Sequence, residues 1–283
     1  MKRFFGCLAG DLHRAFGSWL FLLAAVATCV ACIIPQWDYY STQLHYFGYY
    51  DFWEQNEICS SGFYVFIFPV LGCLPFASAF CTDWGNRYIR SLCIRTGPEV
   101  YSSSKIIACF LSGAGASFLG QMLFLLMTVL LTGGRVVCLI DTTPEEIAQS
   151  LGQYADYGGG FCSLLTGGTI GGAWLFMILN DFVQALYAGS MAALALTVSA
   201  FLPNIFVTLS SPVILVLLSE WIMIFLHAPY ELYVEIVGNC KIGGAAVGGP
   251  ATSLLYDIGY FITLTFLFGI LFTHQIKRRL DRG

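Results

Sequence analysis

The chain has 283 residues, of which 57% are hydrophobic, 16% aromatic and only 11% charged, whereas a typical soluble domain carries roughly 25% charged residues. With a mean hydropathy of +0.74, the apolar surplus exceeds what a core of this size encloses, which excludes an ordinary water-soluble enzyme and makes the bilayer the second apolar solvent. The net charge of −4 supplies no global basic field for nucleic acid, so the meaning of the charges lies in where they sit.

Taken in chain order, residues 1–15 come first. Phe4, Leu8, Leu12 and Phe16 recur at four-residue spacing, with Lys2, Arg3 and Arg14 available for lipid headgroups. This predicts an amphipathic interfacial helix; the plainer alternative is a charged flank of the first span. Stretches of about 20 apolar residues are long enough to cross about 30 Å of hydrocarbon. Six such spans are predicted, at about 16–34, 63–80, 106–131, 173–201, 206–226 and 255–273. The first exceeds the usual apolar core of a signal peptide and leads into further spans, so it is expected to be retained. Between the second and third spans, Asp83 to Arg95 reads as a short helix with Trp84, Tyr88 and Leu92 on one face, stopped by Gly97-Pro98. Ser102-Ser103-Ser104 then offers a cap for the third span. Small residues repeat at four-residue spacing in Ser112, Ala116 and Gly120, and again in Ala185, Gly189 and Ala193, which predicts close helix contacts. Only Leu202-Pro203-Asn204 separates the fourth span from the fifth, and residues 230–237 read as a short outer helix before the sixth.

Basic residues set the orientation. Lys2, Arg3, Arg14, Arg87, Arg90, Arg95, Lys105, Lys277, Arg278, Arg279 and Arg282 fall in segments on one side, and only Arg135 and Lys241 on the other. Positive-inside placement therefore predicts both termini in the cytoplasm. Ten acidic residues crowd the outer segments, four lie on the cytoplasmic side, and Asp181, Glu220 and Asp257 fall within the spans. Most of the eleven cysteines lie in spans or the cytoplasmic segment, where they pack as small apolar residues. Cys59, Cys138, Cys162 and Cys240 are on the outer side and available for pairing, with a connectivity that spacing does not give. Cys29-x-x-Cys32 has no nearby histidine or second pair, so packing outweighs metal or redox chemistry there.

Acids within a membrane are functional candidates. Asn180, Asp181 and Gln184 sit in the outer half of the fourth span and Glu220 inside the fifth. By rise per residue, Asp181 is roughly 13 Å below its outer start and Glu220 roughly 9 Å below its outer end, so the two share a level. They either line a translocation path or bond neighbouring helices and interface water. Asp257 is expected at the outer interface. No catalytic constellation accompanies them: the four histidines are scattered, no HExxH occurs, and Glu145-Glu146 is followed at position 150 by Ser where an intramembrane CAAX protease has Arg. The outer glycines, among them Gly158-Gly159-Gly160, Gly243-Gly244 and Gly248-Gly249, lack the strand and helix of a dinucleotide site, and GxxxxGK[ST] occurs nowhere. They suit tight or re-entrant backbone instead.

An interfacial N-terminal helix, six spans, a short helix after the second and an elaborated outer segment after the fifth together resemble the ABC type-two permeases. Phe68-Pro69, Leu74-Pro75-Phe76-Ala77, Asp83-x-Gly85, Arg95, Tyr101 and Lys105 carry the likeness to the second span and coupling segment of that family, with Asp83 where such proteins often have Glu. The resemblance implies a single all-α transmembrane domain over residues 1–283, with a cytoplasmic coupling segment at 83–104 and a re-entrant or short helical segment between the fifth and sixth spans. It implies a bacterial plasma membrane and a non-enzymatic subunit that pairs with a second permease, identical or related, and with two ATP-binding subunits. Those subunits would hold ATP and Mg; this chain needs no cofactor or metal, and its other partner is membrane lipid. Asp83, Arg87, Tyr88 and Arg90 are then docking residues, and Asn180, Asp181, Gln184 and Glu220 translocation-path candidates. Export of an amphipathic peptide, a drug or a lipid fits the short outer segments, and polysaccharide stays open. A secondary transporter, or a non-transporting sensor or immunity protein binding a peptide, are the rival readings.

Overall fold

The computed structural model describes residues 2–34, 37, 62–132, 170–238 and 250–281. The outer cysteines Cys59, Cys138, Cys162 and Cys240 and the outer glycine pairs lie outside the described residues. Every described element is helical: α1 (Lys2–Phe16), α2 (Trp19–Ile33), α3 (Gly62–Cys73), α4 (Ala79–Gly85), α5 (Ile89–Thr96), α6 (Pro98–Thr132), α7 (Ile170–Phe201), α8 (Ile205–Phe225), a 3-10 turn (Tyr230–Leu232), α9 (Val234–Gly238) and α10 (Pro250–Asp281).

Four described helices are long and apolar enough to cross a membrane: Pro98–Leu131, Met177–Phe201, Ile205–Phe225 and Ala251–Asp281. A fifth candidate is the pair Arg3–Phe16 and Trp19–Ile33, bent by 54° at their junction. The chain is thus a multi-pass helical membrane protein with four or five candidate spans among the described residues, against the six predicted from sequence. The second predicted span, 63–80, has a local cause for falling short. Pro75 cannot donate to the carbonyl four residues back, so the helix ends at Cys73, Leu74 N–H turns to Leu71 O at 3.2 Å, and a turn runs on to Ser78. The bend after α1 is equally local. A Cβ on Gly17 would lie 2.6 Å from the His13 carbonyl oxygen. Ser18 then caps α2 by accepting the Phe21 N–H at 3.3 Å.

The third predicted span proves to be the C-terminal part of a longer rod. Helix α6 has 35 residues, about 52 Å at 1.5 Å per residue, and so projects well beyond the hydrocarbon. It begins at Pro98, directly after Gly97 at φ 88°, a favoured first helical residue. The serine triplet therefore lies inside the helix. Ser102 Oγ donates to the Pro98 carbonyl at 2.8 Å and meets Thr273 Oγ1 of α10 at 2.8 Å.

Helix α7 is the centre of the bundle, packed against α3, α6, α8 and α10. Protein encloses 83% of its apolar stretch, against 22% for α8 and 11% for α10. The small-residue faces make the close approaches expected of them. A Cβ on Gly189 would sit 2.7 Å from Phe110 O, one on Gly113 would sit 2.7 Å from Gly72 O, and one on Gly72 would sit 2.8 Å from Ala188 O. Gly120 likewise lies against Ala25 O and Thr28 of α2. Van der Waals contact at this range is what holds apolar helices together where lipid competes on equal terms. In α8, Pro212 leaves the Thr208 carbonyl without its helical donor, and Ser211 Oγ supplies one at 2.9 Å.

Candidate functional site

The most concentrated chemistry lies where α1, α4 and α6 meet, at the end of the bundle that carries the basic residues. Lys105 of α6 is 2.8 Å from Asp11 Oδ1 of α1 and 3.0 Å from Asp83 Oδ2 of α4. Its side chain is 2% exposed and theirs 8% and 7%. Tyr101 OH donates to Asp83 Oδ2 at 3.2 Å, and Ser104 Oγ donates to Asp11 Oδ2 at 2.8 Å. Arg14 Nη1, half exposed, lies 3.4 Å from Asp83 Oδ1. The Lys105 ammonium also faces the rings of Phe76 and Tyr101, 5.0 and 5.5 Å from their centroids. Two acids and two bases make the group neutral, which is the condition for keeping ions out of water.

Local sequence places each member. Asp11 sits on the inner stripe of α1 with Leu8, Leu12 and Ala15, all packed on the same apolar cluster. Tyr101, Ser104 and Lys105 are neighbours at three- and four-residue spacing on the N-terminal extension of α6. Sequence reading counted Asp11 only as a charge and did not foresee that Lys105 joins it to Asp83. The available signal was an acid on the apolar face of an amphipathic helix.

Above this cluster, the stretch read as a single helix from Asp83 to Arg95 is broken. Helix α4 ends at Gly85, Arg87 takes a left-handed conformation (φ 57°), and Tyr88 N–H returns to the Asp83 carbonyl at 3.0 Å before α5 begins. The candidate docking residues thereby divide into two groups. Arg87, Tyr88 and Arg90 are exposed, as is Ile94 at 85%. Asp83 is buried beneath them, in the ion cluster. Cys93 turns inward from α5, and burial, with a smaller contribution from Cys7, pushes its thiol up to about 11. The far end of α10 braces the same region: the Arg279 guanidinium lies 4.5 Å from the Trp84 ring, and its Nη2 donates to Phe201 O at 2.7 Å.

The intramembrane candidates also divide. Asn180, Asp181 and Gln184 of α7 all face the bundle interior. Gln121 of α6, which sequence reading passed over, donates from Nε2 to Gln184 Oε1 at 2.6 Å. Gln121 Oε1 and Gln184 Nε2 have no hydrogen-bond partner among the described residues, so this amide pair retains an unused acceptor oxygen and an unused NH2 group. Glu220 is half-buried on α8. Asp257, expected at the interface, is enclosed on α10, and neither carboxylate oxygen has a hydrogen-bond partner among the described residues. Among those residues no group of His, Cys, Asp and Glu is arranged to hold a metal ion.

Compared with known proteins, the chain matches no family model, no curated protein and no solved structure.

Proposed function

We propose that the chain is the membrane-spanning permease subunit of an ATP-driven ABC transporter in a bacterial plasma membrane, and that separate ATP-binding subunits drive it. The observation that carries this reading is the exposed Arg87–Tyr88–Arg90 corner mounted on the buried Asp11–Lys105–Asp83 cluster. An exposed cationic corner on a rigid seat suits the task of taking a push from a soluble partner. Asp83 then acts as a positioning residue for that corner. Transport proceeds by alternating access, as closure of the ATP-binding pair biases the bundle between two arrangements. The polar layer of Asn180, Asp181, Gln184 and Gln121, with Glu220 on the loosely packed α8, lines the path of an exported amphipathic cargo, a peptide, drug or lipid. Helix α8 exposes Phe206, Trp221 and Phe225 at more than 70%, and this is the face on which a second permease subunit fits.

The test is purification of the full chain from its native membrane, followed by the double substitution Arg87→Ala/Arg90→Ala. An ATPase in two copies per pair of permeases should accompany the wild type, and the double variant should insert normally yet lose substrate-stimulated ATP hydrolysis. Reproducible purification without any ATPase, or full coupling in the double variant, would overturn the reading.

A further inference from the structure

A groove of about 720 Å³ runs between α6 and α10, within the range of small-molecule and lipid clefts. Its walls are apolar over most of their length, with Ile106, Phe110, Phe266 and Ile270 prominent. Only its end is charged. There Lys277 Nζ donates to Glu99 Oε1 at 2.6 Å, beside His274. Both partners of this pair are open to solvent, with side chains 45% and 73% exposed.

Two features of the groove identify an occupant. The first is length. From Thr273, where the sixth predicted span ends, to Ile262 the α10 wall spans eleven residues, about 16 Å at 1.5 Å per residue, close to half of the ~30 Å hydrocarbon core. The groove therefore runs from headgroup level to the bilayer midplane, the reach of one acyl chain. The second is charge. One full anion and one full cation stand together at the mouth, so a ligand carrying both signs completes a ring in which every charge keeps an opposite neighbour. A purely anionic headgroup would set its phosphate against Glu99 as well as Lys277. A quaternary amine would meet Glu99 without an N–H to donate.

We propose that this groove holds a phospholipid with a primary amine headgroup, phosphatidylethanolamine, in the leaflet on the side of Lys277. Its phosphate rests on Lys277 and His274, its ammonium on Glu99, and one acyl chain lies along Phe110, Phe266 and Ile270. The inference rests on the membrane character of the chain and not on the transport reading, so failure to find an ATPase would leave it standing.

The experiment is native mass spectrometry of the full chain released from detergent micelles with equal amounts of phosphatidylethanolamine, phosphatidylcholine or phosphatidylglycerol. Phosphatidylethanolamine should be retained about threefold over phosphatidylcholine, the size of preference that one solvent-exposed charge contact supplies. Glu99→Gln, a substitution on the surface, should reduce that ratio to about one. Gly269 lines the groove, and a Cβ there meets only Ile106 Cγ2 at 3.6 Å. Gly269→Leu should therefore plug the groove and abolish retention of all three lipids, while Gly269→Ala keeps it. Equal retention of ethanolamine and choline lipids, preference for phosphatidylglycerol, undiminished retention in Gly269→Leu, or a stable dimer joined through this groove would each overturn the proposal.

Discussion

Replacing Lys105 with methionine isolates the electrostatic part of the α1–α4–α6 junction. Methionine keeps an unbranched apolar stem against Phe76 and Tyr101, so little cavity opens and the ammonium is the main loss. At 2.8 and 3.0 Å and an effective dielectric of about 20, each ion contact carries about 6 kcal/mol of Coulomb attraction. Most of that is offset by the desolvation of three ions in the native state, and the measured cost of removing one partner from a buried pair is about 3–5 kcal/mol. Arg14 is half exposed and solvent screens it, so it compensates only in part. For a chain of this size, about 2–4 °C per kcal/mol puts the drop in thermal midpoint between roughly 6 and 20 °C, read as loss of the monodisperse peak after heating in detergent.

The double variant Asp11→Asn/Lys105→Met sharpens the test, because it removes one buried anion along with the cation and leaves Asp83 with Arg14 and Tyr101. It should be more stable than Lys105→Met alone by about 1–2 kcal/mol, because the buried anion stranded by the single substitution is gone. A midpoint for Lys105→Met within 2 °C of wild type, or a double variant whose loss equals the two single losses added, would refute the reasoning.

Two further outcomes follow from the packing. Gly189→Leu should cost about 3 kcal/mol, the upper end for overpacking, because the atom facing its new Cβ at 2.7 Å is a backbone oxygen of Phe110 that cannot rotate away. Gly259→Leu, with nothing within 4 Å, should express and elute as wild type, and equal behaviour of the two variants would show that the seam is not tight. For Cys93, a thiol raised from 9.0 to about 11 carries about 100-fold less thiolate near neutral pH. Its alkylation by N-ethylmaleimide, followed by peptide mapping, should be slow at pH 7.5 and rise about tenfold per pH unit up to pH 10; labelling at the rate of an ordinary thiol would contradict its burial.

The features that sequence conveyed are those written in local periodicity. The amphipathic pattern of α1, the stop at Gly97-Pro98 and the four-residue small faces of α6 and α7 all depend on residues within a turn or two of each other, and each appears in the structure. What escaped depends on long-range contacts or on competition between signals. Asp11 and Lys105 are separated by 94 residues, and nothing local marks them as partners. The serine triplet carried a capping signal, but Pro98 after a left-handed Gly97 started the helix earlier and left Ser102 and Ser104 to bond other helices. In the second predicted span, average hydropathy is high throughout and conceals the hydrogen bond that Pro75 removes. Arg87 breaks the expected coupling helix because Gly85-Asn86 ends α4 before the apolar face of Trp84, Tyr88 and Leu92 can continue.

The placement of ions within so poorly charged a chain bears on how its parts move together. A buried ion triad is weak evidence of stability, since well-packed apolar residues would do as well or better; what it supplies is a fixed geometry. Lys105 holds an acid from α1 and an acid from α4 at once, so neither helix can leave α6 without stranding a charge in an apolar setting. Helix α1 presents its other face outward, and α4 continues directly into the exposed Arg87–Tyr88–Arg90 corner. On the proposed reading, a push on that corner cannot be absorbed by α4 and α5 alone. It must either break the cluster, at a cost of several kcal/mol, or carry α1 and the 35-residue rod of α6 with it. On the same reading, because α6 meets α7 through backbone-close glycine contacts, displacement of its Lys105 end is delivered to the helix that bears Asn180, Asp181 and Gln184.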